Sequence, residues 1–409
     1  MRLPAAAPHR LLEAVADAVR TQAPGARCRL LLADHRMDVL RSADGVEVPV
    51  DGDAPGRCFA AQRPALARDG AGPRSDDALL APVSLHGDRI GVLEVAPGLA
   101  VPDDAAALDG VRALGELLGQ ALLAADLVTD AYRVLRRGRS LTLSAEMQWD
   151  LLPGRSLDAG FVAVAAQLEP AYSVVGDAYD WAVDGEGLTA VLVDGAGPGW
   201  DVTADGAPAD GALADGAPAG RGPRSGGTAV SGAAALAVAA LRNGRREGVD
   251  LAGLARLADA ALHARHAGRV VTSAVLLRLR PDAARVRLEA IGAGGGTVLH
   301  AGRHGVRVLD LGSDPPFGAE EDYPYRVAAA LALDPGDRVV AVSDGLASAP
   351  GAGDEPFAAG LADLLPQLRL LGAAELVRAV IRGLRQAHDG RPLQDDAVVL
   401  CLDVPLPPA

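Results

Sequence analysis

Residues 334–346 read DPGDRVVAVSDGL. Within them DRVVAVSD is a short apolar run rich in β-branched residues, the pattern of a buried strand. It ends on Asp344, and Gly345 follows, so a carboxylate stands where a strand gives way to a turn. The same arrangement recurs elsewhere. LTAVLVD, residues 188–194, ends on Asp194 with Gly195 behind it. Asp177 lies in Val175-Gly176-Asp177, and Asp395 and Asp396 open the strand AVVLCL. Asp-Gly alone is ordinary turn chemistry at strand ends. Here the number and order of these acids point further, because each carboxylate can project from a rigid sheet edge toward one place.

Carboxylates that converge repel one another and need cations between them. Ligand sets made only of oxygen select hard ions such as Mg or Mn over Zn. Two such ions can clamp a phosphate and lower the pKa of bound water, so no cysteine or histidine nucleophile is required.

Working outward, FVAVAAQL (161–168), VVTSAVLLRL (270–279), RVRLEAI (285–291) and AVVLCLDV (397–404) also read as strands, and helical patterns fall at 228–243, 251–266 and 373–388. Many strands with helices in blocks predict a layered α+β domain, not an alternating parallel sheet. Residues 201–227, DVTADGAPADGALADGAPAGRGPRSGG, keep no apolar period and are expected to form a flexible loop, read as slack in preference to a flap over a site.

Toward the N-terminus, residues 10–20 read as an amphipathic helix and 27–33 and 46–50 as strands. LLAPVSL and RIGVLEVA then form a hairpin around His86-Gly87-Asp88, closing a small α+β domain near residue 100. A long helical stretch over 104–150 follows. Its apolar residues Leu108, Val111, Leu114, Leu118, Leu122, Ala125, Val128, Tyr132 and Leu135 recur at steps of three and four. That face suits either packing on its own domain or a dimerising coiled-coil seam, and both readings stand at this point.

Composition excludes several classes. Lys is absent, so a P-loop, a protein kinase and a pyridoxal enzyme lack the Lys each uses. The net charge of −14 opposes nonspecific nucleic-acid binding. Cys28, Cys58 and Cys401 are odd in number and widely spaced, with no disulfide or zinc pattern, and Cys58 and Cys401 read as core. No apolar run approaches a membrane span and no signal peptide is visible, so a cytoplasmic protein that neither enters membranes nor binds nucleic acid is expected. His263 and His266 read as a solvated helix end, and His300 and His304 as turn residues.

The ordered set of motifs resembles the bacterial branch of the metal-dependent PP2C phosphatases, the SpoIIE and RsbU kind. Met147-Gln148 with Leu151-Leu152-Pro153, Pro170-Ala171 followed by VVGDAYD, VDGAGPG, Thr272 in VVTSAVL, GAGGG, DPGDRVVAVSDGL and DDAVVL run in that family's order across residues 145–403. The resemblance implies a central β-sandwich flanked by helices, with a binuclear Mn2+ or Mg2+ site. It makes Asp177, Asp194, Asp344 and Asp395 the catalytic metal carboxylates and the Gly195 carbonyl a further ligand. Asp396 fits that pattern less well than Asp395, and their adjacency leaves both as candidates. The chain departs from the family at Val175, Pro198, Gly295 and Val398, none of which removes an expected carboxylate.

Residues 10–127, through APGRCFAAQRPALARD and LLAPVSLHGDRIGVLEV, resemble a GAF sensory domain. The expected organisation is therefore a GAF-like domain over 1–127, a helical linker over 128–153 and a PP2C-like domain over 154–409. The resemblance implies hydrolysis of phosphoserine or phosphothreonine on a protein such as an anti-sigma-factor antagonist. It also implies a small-molecule or protein signal at the first domain, and the helical seam would suit a homodimer. The competing reading is a degenerate phosphatase fold that serves as a protein-binding scaffold.

Overall fold

The structure is a computed structural model and describes residues 6–68, 77–96, 105–137, 143–170, 176–195, 227–351, 355–389, 391, 393 and 395–407. It divides into two compact units, Met1–Ser140 and Leu141–Ala409.

The first unit holds α1 (Leu11–Gln22), β1 (Arg27–Ala33), β2 (Val39–Arg41), β3 (Glu47–Pro49), α2 (Ala54–Ala61), β4 (Ala65–Ala67), β5 (Ala78–Leu85), β6 (Asp88–Ala96), α3 (Ala105–Ala125) and α4 (Ala131–Arg136). Its strands form one six-stranded antiparallel sheet, ordered β3-β2-β1-β6-β5-β4. Alternation along β1 splits its side chains between two faces. Leu30 and Leu32 join α1 and α3, while Leu31 and Ala33 join Phe59 and Cys58 of α2.

The helical seam is spent inside this unit. Val111, Leu118, Leu122, Ala125 and Tyr132 are buried against the sheet, each large one worth roughly 1.5–3 kcal/mol. Gly115 and Gly119 let α3 lie directly on β5: a Cβ at Gly115 would stand 2.3 Å from the Pro82 carbonyl oxygen, and one at Gly119 2.6 Å from that of Ser84. Tyr132 ties α4 down, its hydroxyl donating to the Pro8 carbonyl at 2.8 Å and accepting from the Leu11 amide at 3.1 Å. The expectation of continuous helix over 104–150 is corrected. Turns after α3 separate it from α4, and Val128, read as part of the seam, is 71% exposed. One face cannot serve both its own sheet and a partner, so the structure decides for self-packing over residues 111–125.

The second unit holds α5 (Leu143–Leu151), β7 (Ser156–Asp158), β8 (Ala163–Glu169), β9 (Ala178–Val183), β10 (Leu188–Asp194), α6 (Gly227–Glu247), α7 (Leu251–His266), β11 (Ser273–Asp282), β12 (Arg285–Ala293), β13 (Thr297–Gly302), β14 (Gly305–Val308), β15 (Ala329–Leu333), β16 (Arg338–Val342), α8 (Asp344–Ala347), α9 (Phe357–Gln367), α10 (Ala373–Ala387) and β17 (Ala397–Asp403). Five strands form one antiparallel sheet, β15-β12-β11-β10-β9, and six form another, β14-β13-β16-β17-β8-β7.

Period-two alternation builds the layers. Leu188, Ala190 and Leu192 of β10 meet Val398, Leu400 and Leu402 of β17 in the central core. The alternate residues Val191 and Val193 face α6 and α7, and Val399 and Cys401 face α9 and α10. The result is a helix–sheet–sheet–helix sandwich, which is the α+β class expected. Helix α6 presents Ala233, Ala234, Ala237, Val238 and Leu241 to its sheet at the spacing of one helical stripe. The helices read at 251–266 and 373–388 are α7 and α10. Helices α2, α8 and α9 and the short strands β2, β4, β7, β9, β13, β14 and β15 are not marked by the sequence, because short segments carry too few apolar repeats to show a period. Residues 201–226, read as a flexible loop, lie outside the described residues, and residue 227 begins α6.

Candidate metal centre

Antiparallel pairing brings the acids together. Strand β9 begins where β10 ends, with Ala178 opposite Val193. Strand β16 ends where β17 begins, with Val342 opposite Val399. Asp177, Asp194, Asp344, Asp395 and Asp396 therefore sit on four chain segments at one end of the sandwich. One hydrogen bond spans the two sheets there: the Asp344 amide donates to Asp194 Oδ2 at 2.9 Å. The Gly195 amide points at Asp177 Oδ1 at 3.4 Å, and the Asp396 amide donates to Asp395 Oδ1 at 2.9 Å.

Glycines permit this crowding. A Cβ on Gly345 would stand 2.0 Å from the Asp396 carbonyl oxygen, and one on Gly195 would stand 2.7 Å from Gly176 Cα. Because the obstacle at Gly345 is backbone, no side-chain rotation relieves it. Gly345→Ala is expected to lower stability by about 1–3 kcal/mol, the cost of overpacking. Urea unfolding of the purified protein measures this, and an unchanged midpoint would contradict the close approach.

The electrostatics are unfavourable by construction. Asp177 is 1% exposed, and burial pushes its carboxyl well above the usual range. Asp194, Asp396, Asp395 and Asp344 add to that push, in this order. Asp194 is raised as well, first by burial and then by Asp344. Asp177 Oδ2 is buried and accepts no hydrogen bond. A buried carboxylate oxygen without a partner is costly unless a cation meets it. Oxygen donors, crowding and an orphaned acceptor together fit a hard divalent ion. As the side chains stand, no three His, Cys, Asp or Glu among the described residues are set to hold one ion. Carboxylates repelling one another close on a common point only when a cation offsets that repulsion.

Beside the acids lies a cavity of about 120 Å3, lined by Asp194, Asp344, Ser273, Gly294, Gly295 and Thr297 among others. Gly295 has φ +100° and open space where a Cβ would be. That φ region favours glycine. Val398 lies in the central core. Val175 and Pro198 lie outside the described residues.

Two residues here had no role in the sequence reading. Gln148 is 5% exposed, and its Nε2 donates to the Asp177 carbonyl at 2.6 Å and to Asp396 Oδ2 at 2.5 Å. Ser343 Oγ accepts from the Val398 amide at 2.9 Å, joining β16 to β17. Their motifs were legible, but only folding shows what they touch. His300 is corrected: it lies on β13, with Nε2 3.0 Å from Asp337 Oδ2, and is not a turn residue. Cys58 and Cys401 are core, as expected. No helix among the described residues is long and apolar enough to cross a membrane.

A four-layer sandwich with acids gathered at one end is a PP2C-like architecture. Residues 224–405 match the family model described as stage II sporulation protein E (SpoIIE), so this part of the chain is similar to that family. The match covers Asp344, Asp395 and Asp396. Asp177 and Asp194 precede it and are joined to it by the fold.

Among similar solved structures is the SiaA-PP2C domain of Pseudomonas aeruginosa, 21% identical, covering 64% of this chain and 95% of the other, with a TM-score of 0.49. A second is the PP2C phosphatase domain with a fragment of the regulatory domain of SpoIIE from Bacillus subtilis, 15% identical, covering 60% and 62%, with a TM-score of 0.47. A third is the catalytic domain of the serine threonine protein phosphatase PstP in complex with 2 manganese ions, 15% identical, covering 60% and 99%, with a TM-score of 0.40. No curated protein matches.

Proposed function

We propose that this chain hydrolyses phosphoserine or phosphothreonine monoesters on a protein partner, with Asp177, Asp194, Asp344, Asp395 and the Gly195 carbonyl as the holders of two Mn2+ or Mg2+ ions. The observation that carries this reading is the orphaned, buried Asp177 Oδ2 amid four further carboxylates. Bound ions of this kind supply a hydroxide at neutral pH and neutralise phosphoryl charge. The chain's own part is placement. Asp194 joins the two halves of the site through the Asp344 amide, and Gly195 and Gly345 allow the loops to approach. The cavity beside Gly294–Gly296 gives a phosphoryl group a place next to Asp194 and Asp344. Asp396, whose Oδ2 is engaged by Gln148, has the weaker claim as a ligand.

By family resemblance, the substrate we infer is a phosphorylated regulatory protein of the anti-sigma-factor-antagonist kind. The N-terminal unit, a six-stranded sheet with helices on it, is proposed as a GAF-like sensor of a small-molecule or protein signal. It would control the site through residues 128–153, of which Leu151 and Leu152 pack into the phosphatase core.

The test is hydrolysis of an aryl phosphate and a phosphoserine peptide by the full chain with Mn2+, with Mg2+ and with chelator. Turnover that requires one of the two ions is the expected result. A folded protein that takes up neither ion and hydrolyses neither substrate would replace this reading with that of a binding scaffold.

A further inference from the structure

We propose that Gln148 is a positioning residue of the metal centre, and that Arg242 holds the helix that carries it. This rests on the metal-site reading above and extends it to residues outside the ligand set.

A primary amide nitrogen has two protons, and both of Gln148's are placed. One goes to the carbonyl of Asp177 and the other to Oδ2 of Asp396. Both partners are acceptors, so the amide cannot be turned over without setting its own oxygen against them. The first contact fixes the backbone from which the Asp177 side chain springs. The second holds one oxygen of Asp396 toward α5, next to Asp395. Gln148 thus ties the start of β9, in one sheet, to the start of β17, in the other. It is a neutral donor in a cluster where every neighbouring acid adds repulsion, so it orients carboxylates without adding charge.

Helix α5 has only nine residues and little to hold it by itself. Arg242 of α6 supplies an anchor one turn beyond Gln148. Its Nη2 donates to the Leu151 carbonyl at 2.7 Å, at the end of α5, and to Asp180 Oδ1 at 2.8 Å, while its Nε reaches Asp180 Oδ2 at 3.2 Å. Asp180 is on β9, three residues beyond Asp177, and its carboxylate is 3% exposed. The same short strand therefore takes the helix at two points, through Gln148 at Asp177 and through Arg242 at Asp180. Arg245 also pairs with Asp180, so that buried carboxylate keeps a cation when Arg242 is removed.

A residue that orients ligands without binding the ion shows itself in ion affinity. Removing such a partner costs about 10–100-fold in affinity. The experiment measures Mn2+ binding to the full chain by calorimetry, alongside aryl phosphate turnover as a function of Mn2+. Gln148→Leu keeps the side-chain bulk and removes both donors. It is expected to raise the Mn2+ dissociation constant about 10-fold or more. With Mn2+ restored to saturation, KM for the aryl phosphate should stay at the wild-type value. Arg242→Ala is expected to move the dissociation constant in the same direction by a smaller factor, and it carries the test if Gln148→Leu does not fold.

A folded Gln148→Leu protein with wild-type Mn2+ affinity overturns the proposal, as does wild-type affinity in Arg242→Ala should that variant alone be available. Wild-type affinity in Arg242→Ala beside a weakened Gln148→Leu removes Arg242's part. If the wild type takes up no Mn2+, the metal-site reading falls and this inference with it. If the wild type binds Mn2+ and hydrolyses substrate while both variants bind as it does, only this inference falls.

Discussion

Asp194→Asn is expected to abolish hydrolysis and metal uptake together while leaving the chain folded. The substitution keeps a side-chain oxygen that can accept from the Asp344 amide, the bond that joins the two sheets at this end, and removes only the charge. Charge is what a divalent ion requires of this residue. Metal ions supply several kcal/mol of transition-state stabilisation, so turnover should fall by at least about a thousandfold. Metal content after gel filtration and aryl phosphate turnover are read on the same preparation. A variant that retains two Mn2+ ions and wild-type turnover would remove Asp194 from the site. A variant that unfolds would show instead that the charge is needed for the join between sheets.

Asp177→Asn should raise stability in the absence of metal. Without metal, Asp177 is a buried acid facing four others, and its Oδ2 has no partner. Its folded-state pKa lies above the ordinary value of 3.8. The stability that goes with protonation is therefore fully present below that ordinary value and is lost as pH rises through the raised one. Asparagine stays neutral throughout. The two chains should be equally stable in acid, and Asp177→Asn should become the more stable as pH rises, by about 1–3 kcal/mol, the usual cost of an unsatisfied buried group. Excess Mn2+ should reverse the order, because an ion that binds only the native state stabilises it by mass action and the variant lacks a ligand. Thermal melts across pH, with chelator and with Mn2+, measure both halves. Equal melting of the two proteins near neutral pH in chelator would show that the cluster carries no such strain.

Much of this was legible before folding. Val and Leu alternating with residues of the opposite face mark β10, β16 and β17 as strands buried on both sides, and the acids at their ends are visible as Asp194, Asp344 and Asp395–Asp396. Helices α7 and α10 show at their full length because apolar residues repeat every three or four positions over several turns. The long seam from Leu108 to Leu135 showed its period equally well, yet period alone does not say what covers a helix face. Gly115 and Gly119, which set α3 directly on β5, settle that for residues 111–125.

The local chain therefore dictated the longer strands, the longer helices, the acids at the strand ends and the exclusion of lysine-dependent chemistry, since each depends on residue type and short-range spacing. Tertiary structure alone decided which acids share a space, because Asp177 and Asp396, far apart in sequence, are brought together by the packing of one sheet on the other. It alone showed Gln148 between them, Arg242 behind that helix and Gly345 against the Asp396 backbone. Those are contacts between distant segments, and a period of two or 3.6 residues along one segment carries no information about which other segment will lie against it.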